Sequence, residues 1–469
     1  AGVRSLLSQG NLRARGGRTT AGVRSLLSQG NLRARGGRTT AGVRSLLSQG
    51  NLRARGGRGP AGFNEADCGV GGPPNTARTG SRARPIMVVM TERSPRGAPR
   101  PEPEPERDRA LGALTGLALG DALGMPTQSM SPALITRHYG RIAGLRDAVG
   151  AQPIAPGAPA GSVTDDTEQA LLIAELLIAG RGRIDPFRFA DALLAWEDRM
   201  RARGSLDLLG PSTKLALEGV RAGADPRTTG RAGTTNGAAM RVAPVGIAFP
   251  LTRPELLADA VHASCMVTHD TRQGFESAAL IAVAVSAAVG GADADRAVDT
   301  ALDLVAALAP RGHWSPGASV VTRARAALDA AEGLSDAALA VLLREQVGTS
   351  VESAESVPCA LVIAREFAAR PFEGLCFAAS LGGDTDTIAA MAGAVLGAAD
   401  PRALPADAVG RVLAVSGLDP APACDGLLEL RRASPARDAA MGRAASPARS
   451  ATPAGGGATA GAPGEGAGR

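Results

Sequence analysis

Two short acidic turns, each placed directly before an apolar run, constrain the fold of this chain more than any other feature. One is Gly-Gly-Asp-Thr-Asp-Thr at residues 382–387, followed by the Ala- and Gly-rich run 388–397. The other is Thr-Asp-Asp-Thr at 164–167, which precedes the apolar run 171–178. Asp or Thr ahead of an apolar run is typical of a helix N-cap. Capping is therefore one interpretation of each turn, but a cap does not require two carboxylates.

Carboxylate and hydroxyl oxygens suit hard cations such as Mg²⁺, Mn²⁺ or Ca²⁺ better than zinc. Four aspartates that converge in one cleft would repel each other, and at least one would be forced to take a proton. Two divalent cations would cancel the four charges and orient water between them. We therefore predict that the two turns fold together around two divalent cations, the alternative being two unrelated helix caps.

The ends of the chain differ in composition from its middle. Residues 1–58 contain a 20-residue unit twice in full and a third time without its last two residues, with identical copies. The unit has four Arg, no acid and one short apolar patch, so we predict that it is disordered. Residues 59–107 form a Pro- and Arg-rich spacer, and we predict that translation begins at Met87 or Met90. Residues 433–469 are predicted to be a disordered tail.

Charge and composition narrow the class of protein. Residues 1–107, which we call the leader, have a net charge of +13, and residues 108–432 have a net charge of −9. The basic pI of about 9.7 therefore comes mainly from the leader. With 2% aromatic residues the chain lacks stacking platforms, and we expect no nucleic-acid partner. No apolar run reaches the length of a membrane span, and no signal peptide is readable. The five cysteines have no C-x-x-C spacing, so we expect a cytoplasmic protein without disulfides.

Residues 108–432 are predicted to form a single compact, orthogonal, all-α multi-helix domain. Ala and Leu abound, β-branched alternation is scarce, and Gly and Pro separate about a dozen helical segments, among them 109–119 and 360–368. Gly116, Gly120 and Gly124 fall four apart, which predicts a helix stripe without side chains against which another segment can pack.

Between the acidic turns lie further candidate residues. The Gly210-Pro-Ser212 turn at a helix start suits a phosphate or a plain cap. Asn236 can read a sugar hydroxyl, and Arg241 is a candidate buried partner for one of the acids. His269 is predicted at the start of an apolar helix, as a structural residue or a ligand-binding one.

Taken together, these motifs resemble the ADP-ribosylglycohydrolase family, which includes bacterial ADP-ribosyl-dinitrogen reductase hydrolases and animal ADP-ribosylhydrolases. The resemblance spans residues of about 110 to 400 and is carried by Gly120-Asp-Ala-Leu-Gly124, Thr164-Asp-Asp-Thr167, Thr235-Asn-Gly-Ala-Ala-Met-Arg241, Thr268-His269 and Gly382-Gly-Asp-Thr-Asp-Thr387. It implies an all-α fold with a binuclear Mg²⁺ or Mn²⁺ centre. The implied metal ligands are Thr164, Asp165, Asp166, Asp384, Asp386 and Thr387. The implied ADP-ribose cleft contains Thr234, Thr235, Asn236 and His269, with the Gly210 and Ser212 turn near the phosphates.

The resemblance implies a metal-dependent hydrolase that cleaves an N-ribosyl bond, with an ADP-ribosylated protein or a small N-riboside as substrate. We expect Asp165 or Asp166 to orient the attacking water. Gln128 stands where the family has a glutamate, and an amide cannot take a proton from water. Two alternatives therefore stay open, a hydrolase of nucleosides or other small N-glycosides and a non-catalytic ADP-ribose-binding protein.

Overall fold

A computed structural model of the protein describes residues 105–204 and 209–444, with side chains up to residue 433. The predicted start at Met87 or Met90, nearly all of the predicted leader and the tail beyond Ala444 lie outside the described residues. The first described helix begins at Pro105 and the last ends at Ala444, both beyond the predicted limits of 108 and 432. Those domain limits stay a prediction.

The all-α prediction is confirmed. Within the two described ranges no β-strand forms, and isolated bridges join Met130 to Gly383, Thr235 to Glu352 and Thr271 to His313. In chain order the helices are α1 (Pro105–Gly124), α2 (Pro132–Tyr139), α3 (Asp165–Ala179), α4 (Pro186–Ala202), α5 (Pro211–Arg221), α6 (Pro226–Thr229), α7 (Gly237–Met240), α8 (Ala243–Ala248), α9 (Pro254–His269), α10 (Arg272–Val289), α11 (Ala294–Ala307), α12 (Val320–Ala331), α13 (Asp336–Leu342), α14 (Ser353–Glu366), α15 (Pro371–Ala378), α16 (Thr385–Ala399), α17 (Ala406–Ser416) and α18 (Ala421–Ala444).

The described helices outnumber the dozen that the sequence predicts. The additional ones include α6, α7 and α8, which have four to six residues and are too short to show a helical period. α14 begins seven residues before the predicted start at 360 and contains Pro358 inside the helix, where proline removes one intrahelical hydrogen bond. His269 ends α9 rather than starting the next helix, because the Thr271 hydroxyl accepts from the Gly274 N–H at 3.0 Å and caps α10.

α10 is the centre of the hydrophobic core. From residue 273 to residue 289 it is buried except at Glu276, and it packs against helices on every side, including α1, α8, α11, α14 and α16. No described helix combines the length and the hydropathy that a membrane crossing requires.

α1 and α16 contact each other through their backbones. Methyl groups on Gly112, Gly116 and Gly120 would overlap the carbonyl oxygens of Gly397, Gly393 and Ala389 respectively. The pairing advances four residues at a time in opposite directions along the two helices, so the end of α1 meets the start of α16. The predicted glycine stripe is thereby confirmed, and its partner is the helix that carries the second acidic turn.

We predict that Gly120→Ala destabilises the protein by about 1–3 kcal/mol, because the new methyl group would force the α1 and α16 backbones apart. The matched control is Gly410→Ala on α17, where a methyl group meets no atom within 4 Å and helix propensity should stabilise by up to about 1 kcal/mol. Thermal unfolding followed by circular dichroism measures both. Equal melting temperatures for the two variants would contradict this account of the interface.

Candidate metal and substrate site

The two acidic turns meet at one cavity of about 250 Å³. The N-terminal ends of α3, α5, α7 and α16 surround it, and the positive ends of the longer helices favour negative charge there. Of the predicted site residues, those that line it are Gln128, Asp165, Gly210, Asn236, Asp384, Asp386 and Thr387. The other predicted residues lie behind this lining or beside it: Thr164, Asp166, Ser212, Thr234, Thr235 and His269.

A left-handed glycine pair aims the second turn at the cavity. Gly382 and Gly383 have φ of 82° and 83°, a region that residues with a Cβ rarely adopt. The Gly383 N–H donates to the Met130 carbonyl at 3.1 Å, and the Gly383 carbonyl accepts from the Ser129 N–H at 2.7 Å. The turn is thus joined to the loop that follows α1 and carries Gln128.

Asn236 holds Asp384 in place. The Asn236 Nδ2 donates to Asp384 Oδ2 at 2.5 Å and to Ser356 Oγ at 3.0 Å, so both amide hydrogens are used. The Asp384 N–H donates to the Thr349 carbonyl at 2.7 Å. Asn236 was predicted to read a sugar hydroxyl, and its free amide oxygen is the part of the side chain left for such a contact.

Asp166 and Asp386 each have one carboxylate oxygen without a protein partner. Both side chains are buried, with 1% and 3% of their surface exposed. Asp166 Oδ2 accepts from Thr164 Oγ1 at 2.9 Å and from Thr387 Oγ1 at 3.4 Å, so Asp166 joins the two turns directly. The Oδ1 atoms of Asp166 and Asp386 accept no hydrogen bond from the described residues.

Asp165 lines the cavity and is oriented from behind. Gln169 Nε2 donates to Asp165 Oδ2 at 2.9 Å, and Gln169 Oε1 accepts from Arg241 Nη1 at 2.7 Å. Arg241 is buried, as the sequence predicts, but it reaches the acid through Gln169 and makes no direct ion pair with it.

Asp121 holds the start of α3, a role that sequence reasoning missed. Its carboxylate accepts from the Thr164 N–H at 3.0 Å, the Thr167 N–H at 3.2 Å and Thr167 Oγ1 at 2.5 Å. An acid on α1 thus caps another helix and lies beneath the first acidic turn. The Gly-Asp-Ala-Leu-Gly motif was the available signal, but it did not reveal which backbone the acid would meet.

Gln128 faces the cavity from the loop after α1. Its side chain is 7% exposed, and its Nε2 donates to no acceptor among the described residues. A buried amide without a partner is costly, which is consistent with a ligand that supplies an acceptor.

His269 is fully buried behind the cavity wall. Its Nε2 lies 2.9 Å from Thr235 Oγ1 and its Nδ1 lies 2.8 Å from Thr268 Oγ1, and a methyl group on Gly237 would overlap its ring. Burial lowers the pKa of His269 well below its ordinary value, so the ring is neutral. In this structure His269 supports Thr235 and does not itself line the cavity.

The predicted phosphate turn lies at the cavity edge. Gly210 is the N-cap of α5 and provides no side-chain cap, while Ser212 Oγ accepts from the Thr235 N–H at 3.4 Å. Thr234 Oγ1 donates to Glu352 Oε2 at 3.2 Å, away from the cavity lining. Gly210 therefore faces the cavity, and Ser212 ties α5 to the segment before α7.

The aspartate carboxylates gathered at the two acidic turns repel one another. Burial raises the pKa values of Asp165, Asp166 and Asp386 well above the ordinary aspartate value, and the neighbouring carboxylates raise them further. Burial also raises the pKa of Asp384, and it raises that of Asp121 to about 6 against the hydrogen bonds from α3. Proton binding or cation binding would relieve this repulsion.

The donor set fits a hard divalent cation. Among the described residues, no three His, Cys, Asp or Glu side chains already form a close ligand set for one ion. The available donors are instead carboxylates mixed with threonine hydroxyls, and two of the carboxylate oxygens have no partner. Oxygen donors of this kind are the ligands that Mg²⁺ and Mn²⁺ prefer.

The sequence is similar to proteins of a known family. The ADP-ribosylglycohydrolase family model matches residues 102–437. The chain is similar to the uncharacterized protein YegU of Escherichia coli K12, with 34% identity over 297 residues that cover 62% of this chain and 87% of that protein. It is similar to the ADP-ribosylarginine hydrolase Tri1 of Pseudomonas putida GB-1, with 29% identity and coverage of 62% and 70%. It is also similar to the ADP-ribosylhydrolase ARH3 of Bos taurus, with 27% identity and coverage of 62% and 84%.

We predict that Asp386→Asn raises the melting temperature of the chelator-treated protein. Because the folded-state pKa of Asp386 is raised, its contribution to stability is present at low pH and is lost as pH rises through that pKa. The gain of the variant over the wild type should therefore grow from about pH 5 to about pH 8, reaching roughly 2–5 °C.

The matched control is Asp336→Asn, since the pKa of exposed Asp336 is lowered by Arg370. It should lower the melting temperature slightly or leave it unchanged. Thermal scans across the pH series decide the matter. A fall in melting temperature of Asp386→Asn at about pH 8 would show that the carboxylates do not repel one another.

Proposed function

The chain belongs to the ADP-ribosylglycohydrolase family, and we therefore propose that it is a hydrolase that cleaves the N-ribosyl bond between ADP-ribose and an acceptor. The observation that carries the proposal is the meeting of two acidic turns, 221 residues apart at Thr387 and Asp166, at a cavity lined by carboxylates of both turns. A relative named as an ADP-ribosylarginine hydrolase supports this bond type, and a relative named as an ADP-ribosylhydrolase supports ADP-ribose as the group released.

We propose that two divalent cations, Mg²⁺ or Mn²⁺, bind in this cluster. The residues that would hold them are Thr164, Asp165, Asp166, Asp384, Asp386 and Thr387. Such cations would neutralise the carboxylates and act as Lewis acids toward substrate oxygens. The partner-free oxygens of Asp166 and Asp386 support this assignment.

The remaining steps of the reaction are assigned to side chains of the protein. Asp165, held through one oxygen by Gln169, has its other oxygen for a water molecule in the cavity. As the C1′–N bond breaks, the water oxygen bonds to C1′, Asp165 accepts the water proton, and Asp165 then passes that proton to the departing nitrogen. Positive charge develops on the ribose ring, and the surrounding carboxylates stabilise it. Asp166 joins the first turn to the second through Thr387.

Gln128 would contribute a hydrogen-bond donor and no base. Its partner-free Nε2 at the cavity suits a ribose hydroxyl or another acceptor oxygen. Proton abstraction then falls to an aspartate, which is why Asp165 is assigned that step.

A smaller substrate is the second candidate, favoured by the size of the cavity. A volume of about 250 Å³ is below the range of about 300–1,000 Å³ that is usual for pockets of drug-sized ligands. A ribosyl group with a small base would fill it. The relevant alternative is therefore a hydrolase of nucleosides or other small N-glycosides.

We predict that Asp384→Ala abolishes turnover of an ADP-ribosylarginine substrate in the presence of Mg²⁺ or Mn²⁺, with a loss of at least about 1,000-fold. The matched control Asp407→Ala, at an exposed position on α17, should keep the wild-type rate. Release of free ADP-ribose, followed by chromatography, is the measurement. Turnover by Asp384→Ala close to that of the wild type would refute the assignment of this cluster.

A substrate panel distinguishes the two candidates. We expect the purified protein to release ADP-ribose from ADP-ribosylarginine faster than it releases free base from nucleosides, because the Gly210 turn offers a site for phosphate. Higher kcat/KM on nucleosides would favour the second candidate. Binding of ADP-ribose without any product would identify a non-catalytic binding protein.

A further inference from the structure

Arg241 is a buried cation whose hydrogen-bond partners are both neutral. It follows α7, its side chain has no exposed surface, and its Cζ lies 5.0 Å from the centroid of the Phe189 ring. Nη1 donates to Gln169 Oε1 at 2.7 Å, and Nη2 donates to Thr268 Oγ1 at 2.5 Å. A buried guanidinium costs free energy unless its surroundings use its charge, so these two contacts require an explanation.

The contact between Arg241 and Gln169 fixes which atoms donate and which accept in a series of hydrogen bonds that ends at Asp165. Arginine has donors and no acceptor, so the amide oxygen of Gln169 must face Arg241. The amide nitrogen of Gln169 must then face Asp165 Oδ2, 2.9 Å away. Asp165 consequently presents its other oxygen to the cavity that it lines.

The contact between Arg241 and Thr268 fixes donors and acceptors in a second series of hydrogen bonds, which ends at Thr235. The Thr268 hydroxyl is buried, and its partners are Arg241 and His269 Nδ1. Arg241 occupies one lone pair of Thr268 Oγ1, and among the described residues the Thr268 proton has no acceptor other than His269 Nδ1. His269 then carries its proton on Nε2 and donates to Thr235 Oγ1, 2.9 Å away.

This direction leaves the Thr235 hydroxyl as a donor. Thr235 accepts from His269, and its own proton has no acceptor among the described residues. Thr235 lies next to Asn236, which lines the cavity. A substrate oxygen, from a hydroxyl or a phosphate, is the kind of group that this proton would contact.

We propose that Arg241 is a positioning residue that sets the direction of both hydrogen-bond chains, one to Asp165 and one to Thr235. Arg241 itself does not line the cavity. The consequence for cation binding and turnover depends on the proposed function, whereas the direction of the two chains does not.

The tautomer of His269 tests the second chain without any activity assay. In protein labelled with ¹⁵N-histidine, long-range ¹H–¹⁵N spectra should show His269 protonated on Nε2 and unprotonated on Nδ1. Thr268→Val removes the hydroxyl and should release the tautomer to a mixture or to the Nδ1–H form, while Thr268→Ser should restore the wild-type spectrum. An Nδ1–H tautomer in the wild type, or the same spectrum in Thr268→Val, would overturn the proposal.

Cation affinity tests the first chain. Gln169→Met keeps the length of the side chain but cannot orient Asp165, and the Mn²⁺ dissociation constant from calorimetry should rise by about 10-fold or more. Gln273→Met is the matched control, since Gln273 is a buried glutamine that contacts Ser315 and Pro316 away from the cavity. Equal Mn²⁺ affinities in Gln169→Met and the wild type would overturn this part.

Arg241→Met should change both readouts together, the His269 tautomer and the Mn²⁺ affinity. If Arg241→Met does not fold, the Thr268 and Gln169 variants still decide each chain separately. A wild-type protein that binds no Mn²⁺ but shows the Nε2–H tautomer, released in Thr268→Val, would overturn the proposed function and leave the His269 chain intact.

Discussion

The direct contact between the backbones of α1 and α16 is the constraint on which the rest of the structure depends. Glycines at successive turns of α1 allow the two helices to approach more closely than any side chain would permit. Because the helices run in opposite directions, the C-terminal end of α1 meets the N-terminal end of α16. Asp121 of α1 caps α3, so the two acidic turns arrive at the same place. The contact between α1 and α16, together with the Asp121 cap on α3, thus positions three helices that are far apart in sequence.

That packing acts against the charge that it gathers. Four buried aspartates and the half-buried Asp384 lie at or behind the cavity wall, and hydrogen bonds from Asn236, Gln169 and the threonines satisfy some of their oxygens. The pKa values of the carboxylates rise because neither water nor cations from the protein compensate them fully. Holding like charges together lowers the stability of the fold. Functional sites often show such a loss, because stability and activity place different demands on the same residues.

Much of the fold was readable from the sequence because its signals are local. The glycines four apart predicted a bare helix stripe, and the Asp-Thr turns predicted the helix starts of α3 and α16. What the sequence did not contain was the identity of the partners across space. The glycine pattern did not reveal that α16 packs against it. Nor did the sequence reveal that Asp121 would accept hydrogen bonds from the N–H groups of α3.

The same limit applies to the polar residues around the cavity. Asn236 and His269 were predicted as residues of the substrate cleft, yet the structure gives both amide hydrogens of Asn236 to neighbours and buries His269 behind Thr235. Gln169 carried no motif and was missed, although it links Arg241 to Asp165. A residue type and its spacing indicate which chemistry is available, but contacts from other helices decide which atom is free to perform it.

The central claim is that two acidic turns, distant in sequence, form one site for a pair of divalent cations. Its most direct test is the number of Mn²⁺ ions that each chain binds, measured by titration calorimetry and native mass spectrometry on the full-length protein. We predict two ions per chain, and loss of both when Asp166 and Asp386 are replaced together by asparagine. A wild-type chain that binds no Mn²⁺, or a double variant that still binds two ions, would contradict it.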